Sequence, residues 1–255
     1  LAVDMTDASD SGVSNSDNLT NNTTPTFTIS GLTSVGAIGD ELYLVIGTDT
    51  VSNEIVTANS VSFTSTTLAN QVLPYFATVV SRDGAGNLSE PTSPLKFYID
   101  TQAPSTGNIL NLLAEDDSGF LNTDDITNNT NPRLEVSGLV VEKKDLIRIF
   151  YDALNAGLTD IEVGEYRMSQ PVIDTLTITT ALDDDRYTLS YFVVDSAGNT
   201  SSESETVNLF IDATAPTAPN NPDLISTSDS GTLDNDDLTN IADISFSVSG
   251  LDASG

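Results

Sequence analysis

One pattern recurs at fixed offsets along this chain, and it constrains the fold more than any other feature. Asp10-Ser11-Gly12, Asp117-Ser118-Gly119 and Asp229-Ser230-Gly231 each begin a copy. Seven residues after the leading aspartate stands another, Asp17, Asp124 or Asp236, and ten after it a Thr-Asn pair at Thr20, Thr127 or Thr239. Twenty-one after it comes a glycine preceded by serine, at Gly31, Gly138 and Gly250. Between these marks lie apolar pairs at matching offsets, Phe27/Ile29, Leu134/Val136 and Phe246/Val248. A second block closes each unit: Asp83-Gly-Ala-Gly86-Asn87 answers Asp195-Ser-Ala-Gly198-Asn199, and Asp100-Thr-Gln-Ala-Pro104 answers Asp212-Ala-Thr-Ala-Pro216. Self-similarity at a fixed period is the signature of a repeat architecture. The copies are 107 and then 112 residues apart, and the extra five fall within residues 151–175. The expected organisation is one repeat over residues 1–103, a second over 104–215, and the first part of a third over 216–255.

Inside each unit the apolar period is two. Leu42/Leu44/Ile46, Leu95/Phe97/Ile99, Tyr187/Leu189/Tyr191/Val193 and Val207/Leu209/Ile211 all alternate, as half-buried strands do. Clusters of Asn, Asp, Gly and Ser between them punctuate turns. About seven short strands per unit without a helical pattern predict an all-β fold of tandem immunoglobulin-like β-sandwiches. Tyr75 and Tyr187 precede the glycine-containing block by eight residues, where a tyrosine corner belongs at the start of the sixth strand.

Composition excludes several functions. The chain carries 38 acidic and eight basic side chains, a formal charge of −30. That is the wrong sign for nucleic acid, whose phosphates call for Lys and Arg, and for an anionic membrane surface. Such an excess also opposes compaction unless cations compensate it. There is no His and no Cys, so neither a catalytic triad nor a disulfide framework is available. No run approaches the roughly 18 apolar residues of a membrane-spanning helix. No signal peptide begins the chain, but the segment is expected to start within a longer protein, so this absence says nothing about export.

The phrases SDSGVSNSDNLTNNTTPTFTISG, RDGAGNLS and IDTQAP, with their partners DDSGFLNTDDITNNTNPRLEVSG, VDSAGNTS and IDATAP, resemble the bacterial Ig-like repeats strung together in giant, type I-secreted (RTX) adhesins of Gram-negative bacteria. The resemblance covers essentially the whole chain. It implies an extracellular, cell-surface setting, a stalk that supports adhesion or biofilm formation, and stiffening by calcium. Two positions depart from the pattern: Asn111 stands where Asp4 and Asp223 do, and Ile244 replaces the proline of Pro25 and Pro132.

Calcium takes six to eight oxygens from carboxylates, amides, backbone carbonyls and water. Threaded onto a sandwich, the Asp10–Asp17 stretch becomes the connection between the first two strands at one end of repeat one, and Asp100 ends its last strand there. Asp195 and Asn199 lie in the last turn of repeat two, facing that junction. Asp10, Asp17, Asp100, Asp195 and Asn199 are therefore the expected ligands of an inter-repeat Ca2+ site. Asp117, Asp124 and Asp212 would play the same parts at the next junction, and Asp83 and Asn87 would face a preceding unit. Each of these residues has a plainer reading, because Asp and Asn side chains also cap their own turns.

The leading functional expectation is a non-enzymatic extender whose partners are its own neighbouring repeats, with a distal ligand that these residues do not reveal. A ligand-binding module for glycan or protein would need one idiosyncratic copy, and residues 151–175 are the candidate stretch. An accessory segment of a secreted polysaccharide-degrading enzyme is the third reading. Asp183-Asp184-Asp185, which has no acidic counterpart in repeat one, reads as a solvated turn.

Overall fold

The computed structural model describes residues 1–107, 109–139, 146–152, 161–167, 175–233 and 235–251. Repeat one contains β1 (Ala2–Met5), β2 (Leu19–Thr20), β3 (Thr26–Ser30), β4 (Glu41–Ile46), β5 (Asp49–Ile55), β6 (Ser60–Thr64), β7 (Tyr75–Arg82) and β8 (Leu95–Ile99). They form a sheet β1-β3-β6 packed on a sheet β2-β8-β7-β4-β5. Repeat two has the same plan: β9 (Leu110–Leu112), β10 (Ile126–Thr127), β11 (Arg133–Val136), β12 (Leu146–Asp152), β13 (Ile161–Arg167), β14 (Leu176–Thr177), β15 (Asp185–Val194) and β16 (Val207–Ile211). Its sheets run β9-β11-β14 and β10-β16-β15-β12-β13. The all-β, tandem immunoglobulin-like sandwich expected from the alternation is the observed fold. Even the β-bulge recurs, between Leu44 and Val45 and again between Ile149 and Phe150.

The cores are the alternating residues. Phe27, Ile29, Leu42, Leu44 and Phe97 are completely buried in repeat one, and Leu134, Leu189, Tyr191, Val193 and Ile211 in repeat two. Phe97 meets Phe27 edge-on with ring centroids 5.0 Å apart and stacks on Tyr75 at 5.4 Å. Both tyrosine corners are present: Tyr75 starts β7 and its hydroxyl donates to Ala69 O, while Tyr187 donates to Asp183 O, at 3.0 and 2.9 Å. That second bond gives the Asp183–Asp185 turn a structural use beyond being solvated.

The strand inventory differs from the expected seven in one respect. The first strand is divided between the sheets, so β1 pairs antiparallel with β3 while β2 pairs parallel with β8. Because β1 and β2 belong to opposite sheets, the chain leaves β1, crosses the edge of the sandwich and re-enters as β2. The Asp10–Asp17 stretch is this crossing and not the expected connection to the second full strand. Most of residues 151–175, the candidate binding stretch, lies outside the described residues.

Residues Leu1–Asp212 form one compact unit and Ala213–Gly255 another. The second contains β17 (Asp223–Leu224) and β18 (Phe246–Ser247), which pair with each other. Here Phe246 and Val248 are 57% and 47% exposed, whereas Phe27 and Ile29 at the same offsets are fully buried. An isolated two-stranded pair is marginal in water. Amides of Ile244–Val248 are therefore expected to exchange at near-unprotected rates in the full chain while those of Leu42–Ile46 stay protected. Protection of both segments alike would contradict this.

At the bend after the first strand of each repeat, one side chain caps the start of the next full strand. Ser9 Oγ accepts from Thr26 N at 2.9 Å, Asp116 Oδ2 from Arg133 N at 2.6 Å, and Ser228 Oγ from Ser245 N at 3.0 Å. In repeat two the cap is an ion pair as well, because Arg133 Nη2 reaches Asp116 Oδ1 at 2.7 Å. The Arg133 hydrogen bonds hold the buried Asp116 carboxyl below the usual carboxylate range. A depressed folded-state pKa adds stability above the unfolded value, which is lost as pH falls through the folded one. Replacing Asp116 by Ala is expected to cost about 2 kcal/mol, since a buried N–H loses its acceptor. Asp116→Ser, the residue of the other two repeats, should recover about half of that loss and flatten the acid limb of a stability-versus-pH curve. Equal losses for both variants would show that the N–H cap contributes little.

Candidate functional site at the repeat junction

The β1–β2 loop of repeat one is built by its own hydrogen bonds. Asp10 Oδ2 accepts from Asn18 N at 3.1 Å, and Asp17 Oδ1 accepts from Leu19 N at 3.3 Å. Asn18 takes a left-handed conformation, φ 57°, and so do Asp125 and Asp237 at the matching positions, φ 57° and 59°. Asn and Asp tolerate that region better than other non-glycine residues. Ser11 Oγ meets Thr20 Oγ1 and Asn21 Oδ1, both at 2.8 Å, and receives Asn21 N at 3.1 Å. The same Ser–Thr–Asn network recurs at Ser118/Thr127/Asn128 and Ser230/Thr239/Asn240. These bonds explain why the Asp-Ser-Gly and Thr-Asn marks keep their spacing.

The β7–β8 and β15–β16 turns are equally self-contained. Asp83 Oδ1 accepts from Ala85 N and Asn87 N, and Oδ2 from Asn87 Nδ2, at 2.8–2.9 Å. Asp195 repeats all three bonds with Ala197 and Asn199. The Asn87 side chain is the main cause that holds the Asp83 carboxyl low. Gly86 and Gly198 both have φ 93°, which their Asp-x-Ala-Gly-Asn turn requires.

At the junction the β15–β16 turn of repeat two seats on the β1–β2 loop of repeat one. Ala197 O accepts from Ser11 Oγ at 3.0 Å and from Asn21 N at 3.2 Å. Ser196 O accepts from Val13 N at 3.4 Å, and Asn199 Nδ2 donates to Asp100 O at 2.9 Å. Gly12, φ 109°, and Gly198 meet face to face: a Cβ on Gly12 would lie 2.3 Å from Ser196 O, and one on Gly198 2.9 Å from Gly12 Cα. The expected loops therefore do converge.

Their carboxylates do not close into a cage. Among the described residues no three acidic side chains stand together in a set able to hold a metal ion. Asp195 is engaged by its own turn, and Asp100 Oδ1 accepts from Gln102 N at 2.9 Å. In repeat two, Asp117 Oδ2 accepts from Asp125 N at 3.3 Å, Asp124 Oδ1 lies 3.4 Å from where a Gly119 Cβ would be, and Asp212 N donates to Thr127 O at 3.0 Å. Asp83 and Asn87 bond to each other in their own turn.

One oxygen stands out in each copy. Oδ1 of Asp10, of Asp117 and of Asp229 is buried and has no hydrogen-bond partner, and Asn18 Oδ1 is in the same state. Burial pushes the Asp10 carboxyl up, against the Asn18 N–H bond, and the charges of Asp17 and Asp4 push the same way. Burial likewise raises Asp125, with Asp117 and Asp124 adding to it. Asn18, Asp125 and Asp237 are absent from the sequence-derived ligand set. Their signal was a polar Asx residue directly after each Asp17-type aspartate, which alternation and turn chemistry do not single out.

No helix among the described residues is long and apolar enough to cross a membrane. The sequence matches none of the curated proteins. Among solved structures the chain is similar to the FN1–FN3 domains of chicken CNTN1, at 12% identity over 76% of this chain and 61% of that one, TM-score 0.50. It is also similar to the fibronectin(III)-like modules of Clostridium thermocellum CbhA, at 10% identity over 83% of this chain and 94% of that one, TM-score 0.48. The first neighbour supports the sandwich fold alone, and this chain spans under two thirds of its length. The family model for the bacterial Ig-like domain matches residues 1–101 and again residues 104–213. The chain belongs to the bacterial Ig-like domain family.

Proposed function

We propose that this chain is an extender segment of a bacterial cell-surface adhesin, exported to the exterior, non-catalytic, and stiffened at its repeat junctions with the help of calcium. The observation that carries the reading is the seating of the β15–β16 turn of repeat two on the β1–β2 loop of repeat one. That contact uses Ala197 O, Ser196 O and Asp100 O, which are main-chain atoms. An interlock of this kind serves reach and rigidity, and the same loop and turn chemistry recurs in each complete repeat.

Calcium fits the loop chemistry. The donors are hard oxygens, the orphaned carboxylate oxygens lack any compensating N–H, and a chain of charge −30 gains from bound cations. The residues that would hold it are Asp10 and Asn18, with Asp17 and Asp4 beside them. Neutralising this loop would relieve like-charge repulsion beneath the turn that docks on it.

The chain has no cysteine, so spin labels can be placed at introduced cysteines in exposed Glu54 of β5 and Glu162 of β13. With calcium a narrow distance distribution between repeats one and two is expected, and a broader one in chelator. Gly12→Val, whose side chain would collide with Ser196 and Ala197, should give a broad distribution in both conditions while core amide protection is retained. A wild-type distribution that is broad in both conditions would overturn the extender reading.

A further inference from the structure

We infer that each repeat carries its own calcium site within the loop between its first two strands, centred on the inward Oδ1 of Asp10, Asp117 and Asp229. This rests on the calcium element of the proposed function, and it moves the ion from the junction into the single repeat. Asn18, Asp125 and Asp237 supply the second oxygen, and Asp17, Asp124 and Asp236 flank them.

Three observations converge. The first is the orphaned oxygen. Asp10, Asp117 and Asp229 are only 3%, 6% and 5% exposed, and in all three the same Oδ1 is buried without a donor. A buried carboxylate oxygen without a partner is costly, and each copy of the motif carries that cost at the same atom. In repeat one Asn18 Oδ1 is orphaned too, so two acceptors sit in one loop with nothing donating to either.

The second observation concerns why an aspartate stands there at all. Its other oxygen caps a turn, accepting from Asn18 N, Asp125 N and Asp237 N. A cap needs one neutral acceptor, and the preceding position shows what this chain uses for that purpose. Ser9 and Ser228 cap with a hydroxyl, and Asp116 replaces serine only where Arg133 engages both of its oxygens. At position 10 and its equivalents a charged residue is used three times, and among the described residues no basic side chain pairs with it. The second carboxylate oxygen serves something other than the cap.

The third is conservation of charge within the set. Repeat one offers Asp4, Asp10 and Asp17 with Asn18; repeat two offers Asp117, Asp124 and Asp125, with Asn111 in place of Asp4. Each has one amide, at different positions, and each keeps three carboxylates. Asn111 Nδ2 bonds to Leu112 O and Glu135 Oε1 instead. The third copy has four, Asp223, Asp229, Asp236 and Asp237. Among the described residues these acids do not close into a three-acid cluster, and a calcium shell can be completed by main-chain carbonyls and water instead.

The test is calcium binding to the full chain, by equilibrium dialysis with radioactive calcium, alongside thermal melting in calcium and in chelator. Three ions per chain are expected. Asp10→Asn keeps an acceptor for Asn18 N and should remove one ion, or weaken it by roughly tenfold or more through loss of a charged ligand. The variant carrying Asp10→Asn, Asp117→Asn and Asp229→Asn should bind none of the three. In chelator Asp10→Asn should melt no lower than wild type, since it buries one charge fewer, and in calcium it should melt lower. Asp195→Asn, in the docking turn, should leave the stoichiometry unchanged. Undiminished binding by the triple variant would overturn the proposal, as would loss of ions in Asp195→Asn but not in Asp10→Asn. Wild type without bound calcium, and with the same melting temperature in calcium and chelator, would overturn it as well. These readouts are independent of the inter-repeat distances, so the site and the extender reading can fail separately.

Discussion

The transfer of the first strand from one sheet to the other is the step on which the rest of the molecule depends. β1 closes the edge beside β3, and β2 lies parallel to β8 on the opposite sheet. The two strands belong to opposite sheets, so a loop must carry the chain across while satisfying its own backbone groups. Asp10 and Ser11 do so by accepting Asn18 N and Asn21 N, and Ser9 accepts Thr26 N. These bonds lie within repeat one and hold the loop's shape without help from the neighbouring repeat. Its fixed shape is what allows a glycine, Gly12, to be presented to the neighbouring repeat.

The junction is a consequence of that fixed shape. Its acceptors on repeat two are carbonyls held outward by the Asp195–Asn199 turn, and that turn is braced by Asp195 in the same way as Asp83 braces its counterpart. Contacts through main-chain atoms tolerate side-chain variation, as when Ala85 and Ala197 are shared but Gly84 is replaced by Ser196. What the contact does not tolerate is bulk at Gly12 or Gly198, where an added Cβ would lie 2.3 Å from Ser196 O or 2.9 Å from Gly12 Cα. Such an interface tolerates sequence differences between the repeats that meet at it.

Electrostatics enters through the same loop. Removing carboxylates from water disfavours their charged form, and burial is the leading cause at both Asp10 and Asp125. The Asp116–Arg133 pair shows the opposite case in the adjacent position, where a cation is built into the chain. Eight basic residues cannot answer 38 acidic ones one for one. A cation from outside is the natural counterpart to the orphaned oxygens, and the proposed calcium site follows from that imbalance.

Much of this was legible in the residues. The recurrence of Asp-Ser-Gly, Thr-Asn and Asp-x-Ala-Gly-Asn determined the repeats, and period-two alternation at Leu42/Leu44/Ile46 or Val207/Leu209/Ile211 determined strands and core, because burial of one face leaves that imprint directly in the sequence. Tyr75 and Tyr187 marked their corners by position alone. The tertiary structure decided two things. It split the first strand between sheets, which depends on which edge is open and leaves no periodic trace in two-residue strands such as Leu19–Thr20. It showed that Asp83 and Asp195 are consumed by their own turns, whereas Asp10, Asp117 and Asp229 each keep one oxygen unanswered. Identical residue types at equally regular offsets separated into these two roles only through burial and the directions of nearby N–H groups, and those are properties of the folded chain rather than of the spacing.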